Sequence, residues 1–151
     1  MLTVYISHPF TGNEEKNRKL ARKISADLCK KAKEYNSAIA IINPCDCIRY
    51  AEKAELPYEE CIQICLKLIE KCDALLLASG WEKSRGCVTE AAYAVHLNIP
   101  VSVLPENTVN IPKNVTVLNN QEPFISLLKT QVKTLCIKDI PLKNKDFLKK
   151  F

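Results

Sequence analysis

The chain has 151 residues, 47% hydrophobic and 26% charged, with a formal net charge of +5, which is the profile of one soluble globular domain able to enclose a core. No apolar run approaches the roughly 18 residues of a membrane span. The first ten residues, MLTVYISHPF, read as a strand and not as a signal peptide, so the expected compartment is the cytoplasm and no membrane partner is expected.

Residues 2–6 are rich in β-formers and end at His8-Pro9 and Gly12, the punctuation of a first strand. From 14 to about 35, Leu20, Ile24 and Leu28 recur at four-residue spacing among lysines and arginines, which predicts an amphipathic helix. Residues 38–42 form a second apolar run, stopped by Asn43-Pro44, and the polar stretch 45–56 reads as a loop, with or without a short helical turn. Pro57 suits the opening of a helix, where its missing N–H is not needed. That helix runs to about 71 and turns Ile62, Cys65, Leu66, Leu68 and Ile69 inward. Residues 74–78 are apolar throughout, as in a central parallel strand covered on both faces. A helix over 84–97, a strand over 99–104, a weaker strand over 115–118 and a helix over 124–137 follow. The end, 141–151, is expected to be a loosely held basic tail on a domain spanning 1–140.

Alternating strands and helices build a parallel sheet with helices on both faces. The expected fold is a single flavodoxin-like or Rossmann-like three-layer α/β domain, with about five strands in the order 2-1-3-4-5. In such a sheet ligands bind beyond the carboxyl ends of the strands, where the order reverses. Here the reversal lies between the first and third strands, whose loops are 7–12 and 79–86. All three glycines of the chain, Gly12, Gly80 and Gly86, lie in those loops. Glycine admits positive φ and close approach of a ligand to the backbone, although ordinary turns after strands also use it.

Eight cysteines would suggest disulfides in a secreted domain. There is no CxxC pair, and Cys45 and Cys47 are too close for a standard zinc knuckle. Cys61, Cys65 and Cys72 fall on a helical stripe as small apolar residues, so no metal is expected. Residues 129–150 carry seven lysines and two aspartates, which accounts for the whole net charge. No aromatic residues interleave with those lysines to make a stacking platform, so a solvated end is expected and not a nucleic-acid surface.

Neither GxGxxG nor GxxxxGKS/T is present, which argues against those dinucleotide and ATP sites. A smaller anion site remains. Ser84 and Gly86 precede the helix over 84–97, whose free N–H groups and dipole favour a phosphate. Ser84 can donate its hydroxyl and Arg85 adds charge, while a plain N-cap would use the same serine. Glu90 follows six residues later, beside Ala91, Ala92 and Ala94. A nucleoside 5'-monophosphate would span the two, with phosphate at Ser84, Arg85 and Gly86 and its anomeric carbon near Glu90.

The set YISHPFTG at 5–12, Asn17, INP at 42–44, CD at 72–73, GWEKSRG at 80–86 and TEAAYA at 89–94 resembles the nucleoside 2-deoxyribosyltransferase superfamily. It is more closely similar to the short bacterial and phage members, of the kind that hydrolyse deoxynucleoside 5'-monophosphates. The resemblance covers about residues 1–104. It implies that Glu90 is the nucleophile of a double displacement, attacking the anomeric carbon, expelling the base and carrying the sugar as an ester. It implies a ligand site drawn from Tyr5, Ser7, His8, Pro9, Thr11, Gly12, Gly80 and Trp81 beside Ser84, Arg85 and Gly86. Serine at 84 points to a nucleotide substrate, no cofactor is needed, and a homo-oligomer is implied. Tyr5 is equally readable as a core residue, His8 as a solvated one, and Asp73 as structural.

One position departs from the pattern. The aspartate that the family carries eight residues before the CD aspartate is Cys65 here, and a thiol supplies no fixed charge at neutral pH without a strongly lowered pKa. Glu59 or Glu60 would be the nearby substitutes. That departure keeps a second expectation open, a nucleotide-binding or sensor module with weak or no catalysis.

Overall fold

In the computed structural model, which describes residues 1–104, 122–135 and 146–151, four parallel strands form the sheet. They are β1 (Leu2–Ser7), β2 (Ile39–Ile42), β3 (Ala74–Leu77) and β4 (Val101–Val103), in the order β2-β1-β3-β4. The order is that of the expected flavodoxin-like sheet, with four strands instead of five; the run 115–118 lies outside the described residues. Among the described residues six helices accompany them: α1 (Glu14–Glu34), α2 (Pro44–Cys47), α3 (Arg49–Lys53), α4 (Tyr58–Ile69), α5 (Arg85–His96) and α6 (Glu122–Thr134).

The two-residue period of a strand decides which helix each side chain meets. Val4, Ile6 and Leu76 turn to one face, where Leu28 of α1 and Leu104 cover them. Tyr5, Leu75 and Leu77 turn to the other, against Ile62 and Leu66 of α4, Val88 and Ala91 of α5, and Leu128 and Val132 of α6. Register pairs Tyr5 with Ile42 on one side and Leu75 on the other, and Ser7 with Leu77. Slipping β1 by one residue would exchange its faces and forfeit several buried side chains at roughly 1.5–3 kcal/mol each. Tyr5 and Ser7 are therefore locked onto the α5 side.

Two expectations are corrected. On α1 the buried positions are Arg18, Ala21 and Leu28, with Ile24 half-buried, whereas Leu20 is 45% exposed. Four-residue steps drift by about 40° per step around a helix with 3.6 residues per turn, which carries Leu20 off the stripe that Leu28 occupies. The end of the chain is also anchored: a 3-10 turn at Asp146–Lys150 buries Phe147 and Leu148. The Phe147 ring meets Tyr93 of α5 edge-on, with centroids 5.0 Å apart. The basic composition of 141–151 conceals two apolar side chains that outweigh its lysines at this point.

Candidate functional site

Chain geometry after β3 sets up the site. Gly80 takes φ of +82°, a conformation costly for a residue with a Cβ, and turns the chain into a 3-10 segment, Trp81–Lys83. Ser84 then caps α5, its Oγ accepting from the Cys87 amide at 3.4 Å. The amides of Arg85 and Gly86 start the helix ahead of any intrahelical acceptor. Cys87, Ala91 and Ala94 are buried at helical spacing, and Glu90 lies on that same stripe at 5% exposure. A carboxylate thus occupies a position where a small apolar residue would ordinarily pack.

It is met by two hydroxyls from β1. Tyr5 Oη donates to Glu90 Oε1 at 2.7 Å, and Ser7 Oγ donates to Oε2 at 2.6 Å. Each carboxylate oxygen keeps further lone-pair capacity. Burial pushes the Glu90 carboxyl up to about 7, against the opposing pull of hydrogen bonds from Ser7, Tyr5 and the Cys65 thiol. Desolvation wins because the group is enclosed; as the sixth residue of α5 it lies beyond the first turn, where the helix dipole acts. The same burial, reinforced by Glu90, holds the Tyr5 phenol and the Cys65 thiol well above their ordinary values. Both are neutral groups at physiological pH.

Glu90 opens on a cleft of about 520 Å³ shared with Ser84, Arg85, Gly86, His8 and Thr11. That volume falls in the range of small-molecule sites. His8 is buried, and its Nδ1–H donates to the Pro9 carbonyl at 2.6 Å, which leaves Nε2 as the acceptor of the neutral ring. Burial lowers its pKa. The Arg85 guanidinium lies 5.3 Å from the centroid of the Tyr58 ring, at the start of α4. A further part of the wall comes from Cys45 of α2, Glu52 of α3 and Ile48 between the two helices. Asn43 caps α2 through the Cys45 amide at 3.1 Å, with Pro44 at the first helical position. Arg18, 9% exposed, braces this wall from α1: it donates to the Cys45 carbonyl and, at 2.8 Å, to Glu52 Oε2.

Residues 2–103 match the family described as a domain of unknown function, DUF4406. The chain belongs to the DUF4406 family. No curated protein and no solved structure matches it. The matched region of this DUF4406 domain holds β1 to β4 and every residue of the cleft.

The residues singled out from sequence fall into three groups. Glu90, Ser84, Arg85, Gly86, His8 and Thr11 line the cleft together. Tyr5 and Ser7 do not line it; fully buried, they hold Glu90 from behind. Pro9, Gly12, Gly80 and Trp81 are not among the residues that line the cleft. Trp81 is 3% exposed and packs on Phe124 of α6, centroids 5.7 Å apart. Gly80 and Gly12 serve positive-φ turns, and Pro9 lies across from Gly80. Glu59 and Glu60, the suggested substitutes for the absent helix aspartate, border a separate groove with Gln63 and Lys67. Asp73 is structural, its Oδ2 accepting from the Thr3 amide at 2.7 Å.

Sequence reading missed the α2–α3 wall, Phe10 and Tyr58. The Asn43-Pro44 pair, an N-cap followed by proline at the first helical position, was the available signal. Among the described residues no three His, Cys, Asp or Glu side chains are grouped to hold a metal ion, and no helix is long and apolar enough to cross a membrane.

Proposed function

We propose that this protein cleaves or transfers the N-glycosidic bond of (deoxy)nucleoside 5'-monophosphates through a covalent glycosyl ester on Glu90. The observation that carries the reading is a buried carboxylate, held on both oxygens by hydroxyls, in one cleft with Ser84 and the first amides of α5. The resemblance to the nucleoside 2-deoxyribosyltransferase superfamily supports the same roles. Phosphate binds at Ser84, Gly86 and the Arg85 side chain. A Glu90 oxygen attacks the anomeric carbon, the carbon–nitrogen bond breaks, and the base leaves with the bonding pair and takes up a proton. Water, or the ring nitrogen of a second base, then displaces Glu90 from the sugar. Tyr5 and Ser7 keep the carboxylate in place, and their hydrogen bonds favour the ionised form that attacks. Neither step draws on a metal or an organic cofactor.

Cys65 supports a second reading, a nucleotide-binding or sensor module. This thiol is 3% exposed and neutral against Glu90, so the α4 position that carries an aspartate in the resembled enzymes offers no charge. Incubation with a panel of deoxynucleoside monophosphates, with chromatography for free base, separates the two. Free base together with a glycosyl adduct on Glu90 by mass spectrometry supports the enzyme. A raised melting temperature without base release from any nucleotide supports the sensor. A homo-oligomer and a cytoplasmic location belong to the same proposal, and light scattering checks the first.

A further inference from the structure

We propose that Glu52 reads the base of the bound nucleotide, accepting a hydrogen bond on Oε1 from an exocyclic amino group, so that adenine, guanine and cytosine nucleotides are preferred over those of thymine or uracil. The inference rests on the nucleotide reading above.

Glu52 stands on α3 and lines the same cleft as the start of α5, where an anion would bind. One of its oxygens is committed, since Oε2 accepts from Arg18 Nη2 at 2.8 Å. Among the described residues no donor is recorded on Oε1. The pair is asymmetric in exposure: the Arg18 side chain is 10% exposed and that of Glu52 29%. Arg18 is itself fixed twice more, by the Cys45 carbonyl and by the Phe10 ring, whose centroid lies 5.0 Å from its guanidinium carbon. A buried arginine is costly to desolvate and adds little net stability even when paired. What this one does is hold the Glu52 carboxylate in the cleft lining by one oxygen, which leaves the other for a ligand.

The neighbours decide which part of a nucleotide meets it. A phosphate is repelled by a carboxylate and finds Ser84 and Arg85 elsewhere in the same cleft. Ile48 lies one turn before Glu52 and Leu56 follows it, both lining the cleft with Phe10. Apolar surface suits the flat face of a base better than a hydroxylated sugar. Adenine, cytosine and guanine each carry an exocyclic amino donor. Thymine and uracil present a single ring N–H between two carbonyl oxygens, which a carboxylate repels. A hydrogen bond to a charged acceptor, gained by one class and lost by the other, makes about a 10- to 100-fold difference in affinity.

The experiment is calorimetric titration of the full chain with the deoxynucleoside monophosphates of all five bases, read as binding and not as turnover. The wild type should bind the amino-bearing three at least about 10-fold more tightly. In Glu52→Gln, the amide carbonyl stays with the Arg18 donor and its NH₂ turns to the cleft, so the preference should invert toward thymine and uracil. A double variant, Arg18→Met with Glu52→Leu, leaves no unpaired buried charge and should bind all five alike, with its melting curve confirming the fold. A wild type without base preference, or variants that keep the wild-type ranking or weaken all five equally, overturns the assignment. Absence of any nucleotide binding overturns it together with the nucleotide reading. Preference and inversion without base release support it in a sensor.

Discussion

Tyr5 and Glu90, 85 positions apart in the chain, share a hydrogen bond of 2.7 Å in the interior of the molecule. The phenol lies on β1, an inner strand of the sheet, and the carboxylate on α5, which packs against it. Two principles meet there: strand alternation sends Tyr5 and Ser7 to one face, and helical spacing sends Glu90 to the same face from above. Tyr5→Phe keeps the packing and removes the donor. A hydrogen bond that favours the ionised carboxylate is then lost, so the Glu90 pKa should rise above about 7 by roughly one unit or more. The check is the acid limb of the base-release rate, or a carboxyl NMR titration. An unmoved titration with a lowered melting temperature would reduce Tyr5 to a packing role.

Glu90 also makes folding stability depend on pH. Its carboxyl sits at about 7 in the folded chain against an ordinary 4.5. Between those values the folded state binds more protons than the unfolded one, so stability falls as pH rises through this window and levels off above it. The loss amounts to roughly 3 kcal/mol. Glu90→Gln should be nearly as stable as the wild type at pH 4.5 and more stable at pH 8, while releasing no base. Parallel stability profiles for the two proteins from pH 4.5 to 8 would contradict a buried, raised carboxyl.

Ser84 has two separable duties. As the cap of α5 its loss should cost about 1 kcal/mol of stability. As a phosphate ligand its loss should weaken monophosphate binding about 10-fold and leave the matching nucleoside unchanged. Titration of Ser84→Ala with both compounds tells these apart, and equal weakening would confine Ser84 to capping.

The chain's end makes a third kind of claim, about stability alone. Phe147 is 2% exposed and packs on Tyr93. Phe147→Ala should cost about 3–5 kcal/mol in urea denaturation. A change within about 0.5 kcal/mol would mean that 146–151 is not part of the cooperative unit.

The sequence by itself determined the strand–helix alternation, the parallel order and the reversal between the first and third strands, because hydrophobic period and turn residues are local properties. It also marked Glu90, Ser84, Arg85, Gly86, His8 and Thr11, whose places follow from lying just beyond strand ends. Tertiary structure alone decided that Tyr5 and Ser7 grip Glu90 from behind the cleft. It likewise decided that Trp81 belongs to the core and that Glu52 and Arg18 brace the α2–α3 wall. Those outcomes depend on which side chains are brought together across tens of residues, and on how much water the packing removes. The raised pKa of Glu90 is the clearest instance: no local pattern reports desolvation, which exists only once β1 and α5 have closed on the carboxylate.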